Sequence, residues 1–148
     1  MFTVVLYMHS WLRWLAIGAG LWATSAAATA PGSDSSEKSG LLFIIAMDLQ
    51  MVLGILLYAF LSPTTEAIMR DFGAAMRDPV ARFWAVEHVT MMVAAVVFAH
   101  LGRVLARKAA TPAAKRTRLL VCFGVSTVLM LAGTPWPGMS AGRQLFRI

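Results

Sequence analysis

Charge is what this chain has least of. Asp, Glu, Lys and Arg make up 14% of its 148 residues, against 59% hydrophobic ones. A soluble domain carries about a quarter charged residues, and a chain this short leaves much of its surface in solvent. The apolar excess therefore has no single core to hide in, and a soluble enzyme, a disordered tail and a nucleic-acid-binding module are all disfavoured. Cysteine is almost absent. Cys122, the only one, allows no internal disulfide and no paired-thiol site, and there is no CxxCH for a covalent c-type haem. It lies in an apolar run and reads as a small core residue.

What is present is four apolar runs of roughly 20 residues, the length that crosses a bilayer as helix. Mean hydropathy is +0.70. Spans are predicted over 2–29, 41–61, 82–105 and 119–134. Ala28-Thr29-Ala30 imitates a signal-peptide cleavage site, but no Lys or Arg precedes Arg13, and Pro31 follows directly. The first run is expected to be a retained span. Pro31-Gly32 and the polar stretch 33–40 read as a loop. In the connector 64–81, Met69, Phe72 and Met76 stand at helical intervals among Arg70, Asp71, Arg77 and Asp78. That pattern suits a short amphipathic helix in the interface. Pro135-Trp136-Pro137-Gly138 breaks the last helix. With no barrel-type alternation, the expectation is one all-α domain over 1–148. Its architecture would be an up-down four-helix transmembrane bundle with a short interfacial helix between spans two and three.

The net charge of +6 is clustered. Arg103, Arg107, Lys108, Lys115, Arg116 and Arg118 follow span three without an acid among them, and Lys38 follows span one. Arg70, Arg77, Arg82, Arg143 and Arg147 fall on the opposite side. Basic residues resist translocation, so loops one and three are expected in the cytoplasm of a bacterial cell. Both termini would then be periplasmic, with Trp11, Trp14, Trp84 and Trp136 toward the outer face. The basicity is a topology signal rather than a sign of nucleic acid.

Ionisable groups inside spans are costly and usually face the bundle interior. They are His9 and Arg13 in span one, Asp48 (with Gln50) in span two, and Glu87, His88 and His100 in span three. At 100° per residue, His9, Arg13, Ala16 and Gly20 share one face of span one. Trp84, His88, Met91, Ala95 and Ala99 share a stripe of span three. Spans one and three run the same way and are commonly diagonal, so His9 and His88 meet at similar depth, where they can serve as axial ligands of a b-type haem. Gly18, Gly20, Gly54, Ala95 and Ala99 offer shallow walls, and Met8, Met47, Met51, Met91 and Met92 offer adaptable packing. Arg13 or Arg82 can meet a propionate. The plainer reading is a pair of histidines hydrogen-bonded to neighbouring helices, with Arg82 and Glu87 as a local ion pair. Asp48 reaches the leaflet of His100, and pairing with His100 or Arg103 is expected there. A structural pair near the cytoplasmic face is weighed against a proton or quinone site, with Met47 or Met51 as the stand-in ligand for a second haem.

YMHSWLRW (Tyr7 to Trp14), DLQMVLGILLY (Asp48 to Tyr58), RFWAVEHVTMM (Arg82 to Met92) and the late PWP (Pro135 to Pro137) together carry a resemblance. The chain resembles small bacterial four-span membrane proteins of cytochrome b-like type over most of its length. The resemblance implies haem b on His9 and His88, with Arg13, Gln50 and Glu87 as supporting polar groups. In that pattern the position of Asp48 can hold histidine. A weaker similarity is to the four-helix membrane protoporphyrinogen oxidase of haem synthesis, compare Trp84, His100, Gly102 and Arg103, but its lysine-leucine pair in the third span is missing.

The leading expectation is a haem b electron-transfer subunit whose partner is a redox protein or a quinone, within a larger membrane complex or a homo-oligomer. It is read as a subunit rather than a stand-alone enzyme. One alternative is a cofactor-free accessory or assembly subunit of a respiratory or photosynthetic complex, with the small residues Ala23 to Ala28 and Gly124 as helix-contact surfaces. The other is a porphyrinogen oxidase.

Overall fold

The computed structural model describes residues 1–146, and among them every regular element is a helix. Four are long: α1 (Phe2–Thr29), α2 (Asp34–Leu61), α5 (Pro79–Arg107) and α6 (Pro112–Ala132). Between α2 and α5 lie the short α3 (Pro63–Arg70) and α4 (Phe72–Ala75). Helices α2 and α5 are each long and apolar enough to cross a membrane. Arg147, expected beside Arg143 in the tail, lies outside the described residues.

Helix α1 packs on α2 and α6, and α5 packs on the same two, so α1 and α5 stand diagonally. Small residues allow the close approach. Ala16, Ala19, Gly20, Ala23 and Ala27 make the buried stripe of α1. A Cβ on Gly20 would lie 2.8 Å from Thr127 Oγ1 and 2.9 Å from the Phe43 ring. Phe43 and Phe123 meet edge to face across the centre, with centroids 5.7 Å apart. Ser126, fully buried, donates to Ala95 O at 2.6 Å and ties α6 to α5. Bonds of this kind join helices without help from water.

Several boundaries differ from the sequence reading, and each difference has a capping residue behind it. The stretch expected as a loop up to Gly40 is helical from Asp34, because Ser33 Oγ accepts Ser36 N–H at 3.1 Å while Asp34 and Glu37 occupy the first turn. Acids there complement the positive end of the helix dipole. Helix α6 begins at Pro112, seven residues before the expected Leu119, with Thr111 Oγ1 accepting Ala114 N–H and proline in the first turn. Lys115, Arg116 and Arg118 therefore ride on a helix rather than in a loop. The connector is two short helices rather than one, broken at Asp71, whose side chain caps the second. Its inward residues are Ile68 and Ala75, whereas Met69 and Phe72 point out. Of the small-residue faces of α1 and α6, Ala23, Ala26 and Ala27 are buried within this chain, whereas Ser25 is exposed and Ala28 and Gly124 are partly buried, Gly124 facing Thr24.

Candidate functional site

The His9–His88 meeting point is built from helix irregularities. Helix α5 opens with a wide π turn over Phe83–Glu87, and α2 closes with another over Leu57–Leu61. Such single wide turns inside α-helices are frequent at functional sites. Each shifts hydrogen bonds to the fifth residue back: His88 N–H reaches Phe83 O, and Ser62 N–H reaches Leu57 O at 2.9 Å. The Tyr58 hydroxyl, from one wide turn, donates to Ala85 O in the other at 2.7 Å. This bond fixes the start of α5 and with it the direction in which His88 leaves the helix.

The end of α6 then orients the ring. In an uninterrupted helix the carbonyls of Leu131 and Gly133 would accept N–H groups from residues 135 and 137. Both positions are proline and have no N–H to give. Trp136 Nε1 donates to Leu131 O at 2.8 Å instead, and His88 Nδ1 lies 2.7 Å from Gly133 O. A carbonyl only accepts, so Nδ1 carries the proton and Nε2 is the lone-pair nitrogen of the neutral ring. A histidine held this way through one nitrogen is the usual state of a metal ligand.

His9 comes from the facing side of α1. Its backbone carbonyl accepts from Gln50 Nε2 at 2.9 Å, and its ring lies over Gly54, where a Cβ would come within 3.4 Å of Cε1. His9 Nδ1 and Gln50 Oε1 are buried polar atoms with no hydrogen-bond partner among the described residues. The His9 and His88 rings meet edge to face, with centroids 6.3 Å apart and planes at 72°. A metal–imidazole bond is about 2 Å, so two imidazoles on opposite sides of one metal ion place their centroids about 6 Å apart. The observed separation is of that order, with the rings set edge to face. Among the described residues no group of three or more His, Cys, Asp or Glu is arranged to hold a metal.

Aromatic side chains and the tail close the site on its outer side. Trp84 and Phe83 pack on His88 at 5.6 and 5.9 Å. Arg13 Nη2 donates to Leu145 O at 2.7 Å, Trp14 Nε1 reaches the same carbonyl at 3.3 Å, and Phe146 stacks on Trp14. Arg143 lies over the Trp84 ring. Arg13 therefore sits beside the histidines, but its guanidinium holds the tail. Glu87 is bonded to Arg82 at 2.7 Å, the local ion pair of the plainer reading.

The second polar pair also forms. His100 Nε2 and Asp48 Oδ1 are 2.8 Å apart, each side chain 48% exposed. Arg103 does not join them and instead lines a cleft with Arg107 and Lys115. Met8 and Gly18, expected as interior packing, point outward, whereas Met47, Ala95 and Ala99 are buried. The parts that sequence reasoning missed are Tyr58, the Gly133 carbonyl and the tail. The two prolines of PWP were the available signal, because each one leaves a helix carbonyl in need of a donor. Compared with protein families, curated proteins and solved structures, the chain matches none of them.

Proposed function

We propose that the chain is a four-span subunit of a bacterial cytoplasmic membrane that holds a b-type haem between His9 and His88. The observation that carries this reading is the approach of two imidazoles from diagonal helices to 6.3 Å, with one ring locked through Nδ1. Exposed apolar side chains on all four long helices support the membrane setting: Leu15 and Leu21 on α1, Val52 on α2, Val97 on α5, Val128 on α6. Soluble monomers rarely expose so continuous an apolar surface. In this reading α1 and α6 cross the bilayer as α2 and α5 do, with both termini periplasmic.

The chain's own residues have separate tasks. His88 offers Nε2 because Gly133 holds Nδ1. Gly54 leaves room for the His9 ring, and Gln50 pins the His9 backbone. Trp84, Trp14 and the tail cover the site's outer side, and Arg13, whose Nη2 holds Leu145 O, would be the nearby cation for a propionate. A bound b haem would supply one-electron transfer at this point, to a redox protein or quinone.

The test is an absorption spectrum of the purified protein, oxidised and dithionite-reduced, after expression with haem supplied. A Soret band that is lost in both His9→Ala and His88→Ala is expected; a colourless protein, or unchanged spectra in the variants, overturns the assignment. The cofactor-free accessory subunit remains the second reading. The 72° edge-on packing of the two rings favours it, since aromatic rings adopt that arrangement with no metal between them. A colourless protein that co-purifies with large redox subunits would establish it.

A further inference from the structure

At the opposite end of the molecule, the start of α2, the end of α5 and the start of α6 border an open cleft of about 110 Å³. One water needs only ~10–15 Å³ measured this way, so the space admits a larger polar group. Arg103, Arg107 and Lys115 line it, with Ser36 and Glu37 opposite and the Phe123 ring among its apolar walls. The charges do not cancel. Glu37 is the only carboxylate on the lining, and it reaches Lys115 Nζ at 3.3 Å. Among the described residues, neither Arg103 nor Arg107 has a carboxylate within ion-pair distance. Two guanidiniums from successive turns of α5 thus share a concave site with a lysine, and guanidinium forks match phosphate oxygens. Exposed Leu41 and Leu105 stand beside this end of the same helices, where the acyl chains of a lipid would lie.

We propose that this cleft binds a phosphate group through Arg103, Arg107 and Lys115. Two sources present that chemistry, the headgroup of an anionic phospholipid and a soluble phosphate. The lipid source rests on the membrane reading above, but not on the haem. Basic pockets between membrane helices on the cytoplasmic side are a recurrent way of holding anionic headgroups. Glu37 sets the sign of one variant, because neutralising it frees Lys115 and removes the only repulsive charge.

The experiment uses the full chain in nanodiscs of phosphatidylcholine alone or with phosphatidylglycerol, and reads retained lipid by native mass spectrometry. Inorganic phosphate is a separate arm, read as a shift in melting temperature in zwitterionic detergent. Wild type is expected to retain phosphatidylglycerol over phosphatidylcholine. Retention should fall at least about tenfold in R103Q/R107Q, rise in E37Q, and stay unchanged in R77Q, a cation outside the cleft. The exposed Arg107 gives R107Q as a single variant that leaves the packing intact, with a smaller loss expected. Stabilisation by inorganic phosphate that R103Q/R107Q abolishes, without lipid preference, supports the site with a soluble source. Equal retention of both lipids together with no phosphate shift overturns the proposal, as does a preference that R103Q/R107Q leaves unchanged. The haem spectrum is independent of all these readouts, so the two readings fail separately.

Discussion

Gly102 shows how much one missing methyl decides. A Cβ there would lie 2.8 Å from Cys122 Cβ and 3.3 Å from the Phe123 ring, and Cys122 Cβ, bonded directly to the α6 backbone, can yield only if the helix moves. Gly102→Ala is expected to destabilise the folded chain by about 1–3 kcal/mol, the usual range for overpacking, seen as a lower melting temperature in detergent. Gly18→Ala, with open space around it, is the neutral control. At this scale the sequence was partly legible. His9 and His88 could be singled out because ionisable side chains are so rare in the apolar runs; periodicity gives each its face, and its distance from the start of its span gives the shared depth. Asp48 and His100 pair for the same reason. Their half-exposed position could not be read, because periodicity assigns a face but not the neighbour that covers it. Gly18 and Met8 were misplaced on the same ground.

At the scale of elements, the two prolines after α6 do more than stop a helix. By withholding N–H groups they leave Gly133 O to His88, and Leu131 O to Trp136 Nε1 beside the Thr134 N–H. Pro137→Ala gives back the N–H that a continued helix would direct at Gly133 O. The His88 ring then has a competitor, and its protonated nitrogen is no longer fixed. Nitrogen-15 spectra of the labelled histidines should show a single Nδ1–H tautomer for His88 in the wild type and a mixture in the variant; an unchanged tautomer would mean that ring packing alone fixes it. Helix starts were the least legible part of the sequence. Ser33 and Thr111 are polar residues in polar stretches, and only their side-chain contacts to the third residue on distinguish a cap from a loop. The wide turns at Leu57–Leu61 and Phe83–Glu87 left no compositional trace, since one extra residue in a turn leaves the apolar pattern nearly intact.

For the whole molecule, the basic end and the end carrying His9 and His88 are separated along the bundle. Lys38, Lys115 and Arg118 belong to the end where α1 meets α2 and α5 meets α6, whereas Arg70, Arg77 and Arg143 belong to the other. Under the topology proposed above, alkaline phosphatase fused after the C-terminus should be active and a green fluorescent protein fusion there dark. The reverse pattern would invert the assignment. That the chain is all-helical was legible from run length and the absence of alternation, and the order in which the helices pack follows from short connections. The tail was not legible, because its hold on α1 runs through a backbone carbonyl, Leu145 O, that any residue would supply. The His88 anchor lies 45 residues further along the chain, and the carbonyl held by Arg13 lies 132 residues beyond it. In chain order, therefore, both histidines precede the carbonyls at Gly133 and Leu145 that hold His88 and Arg13. The two imidazoles are made early and the carbonyls that hold His88 and Arg13 late, so a chain cut short before α6 contains each histidine without the contact that orients His88.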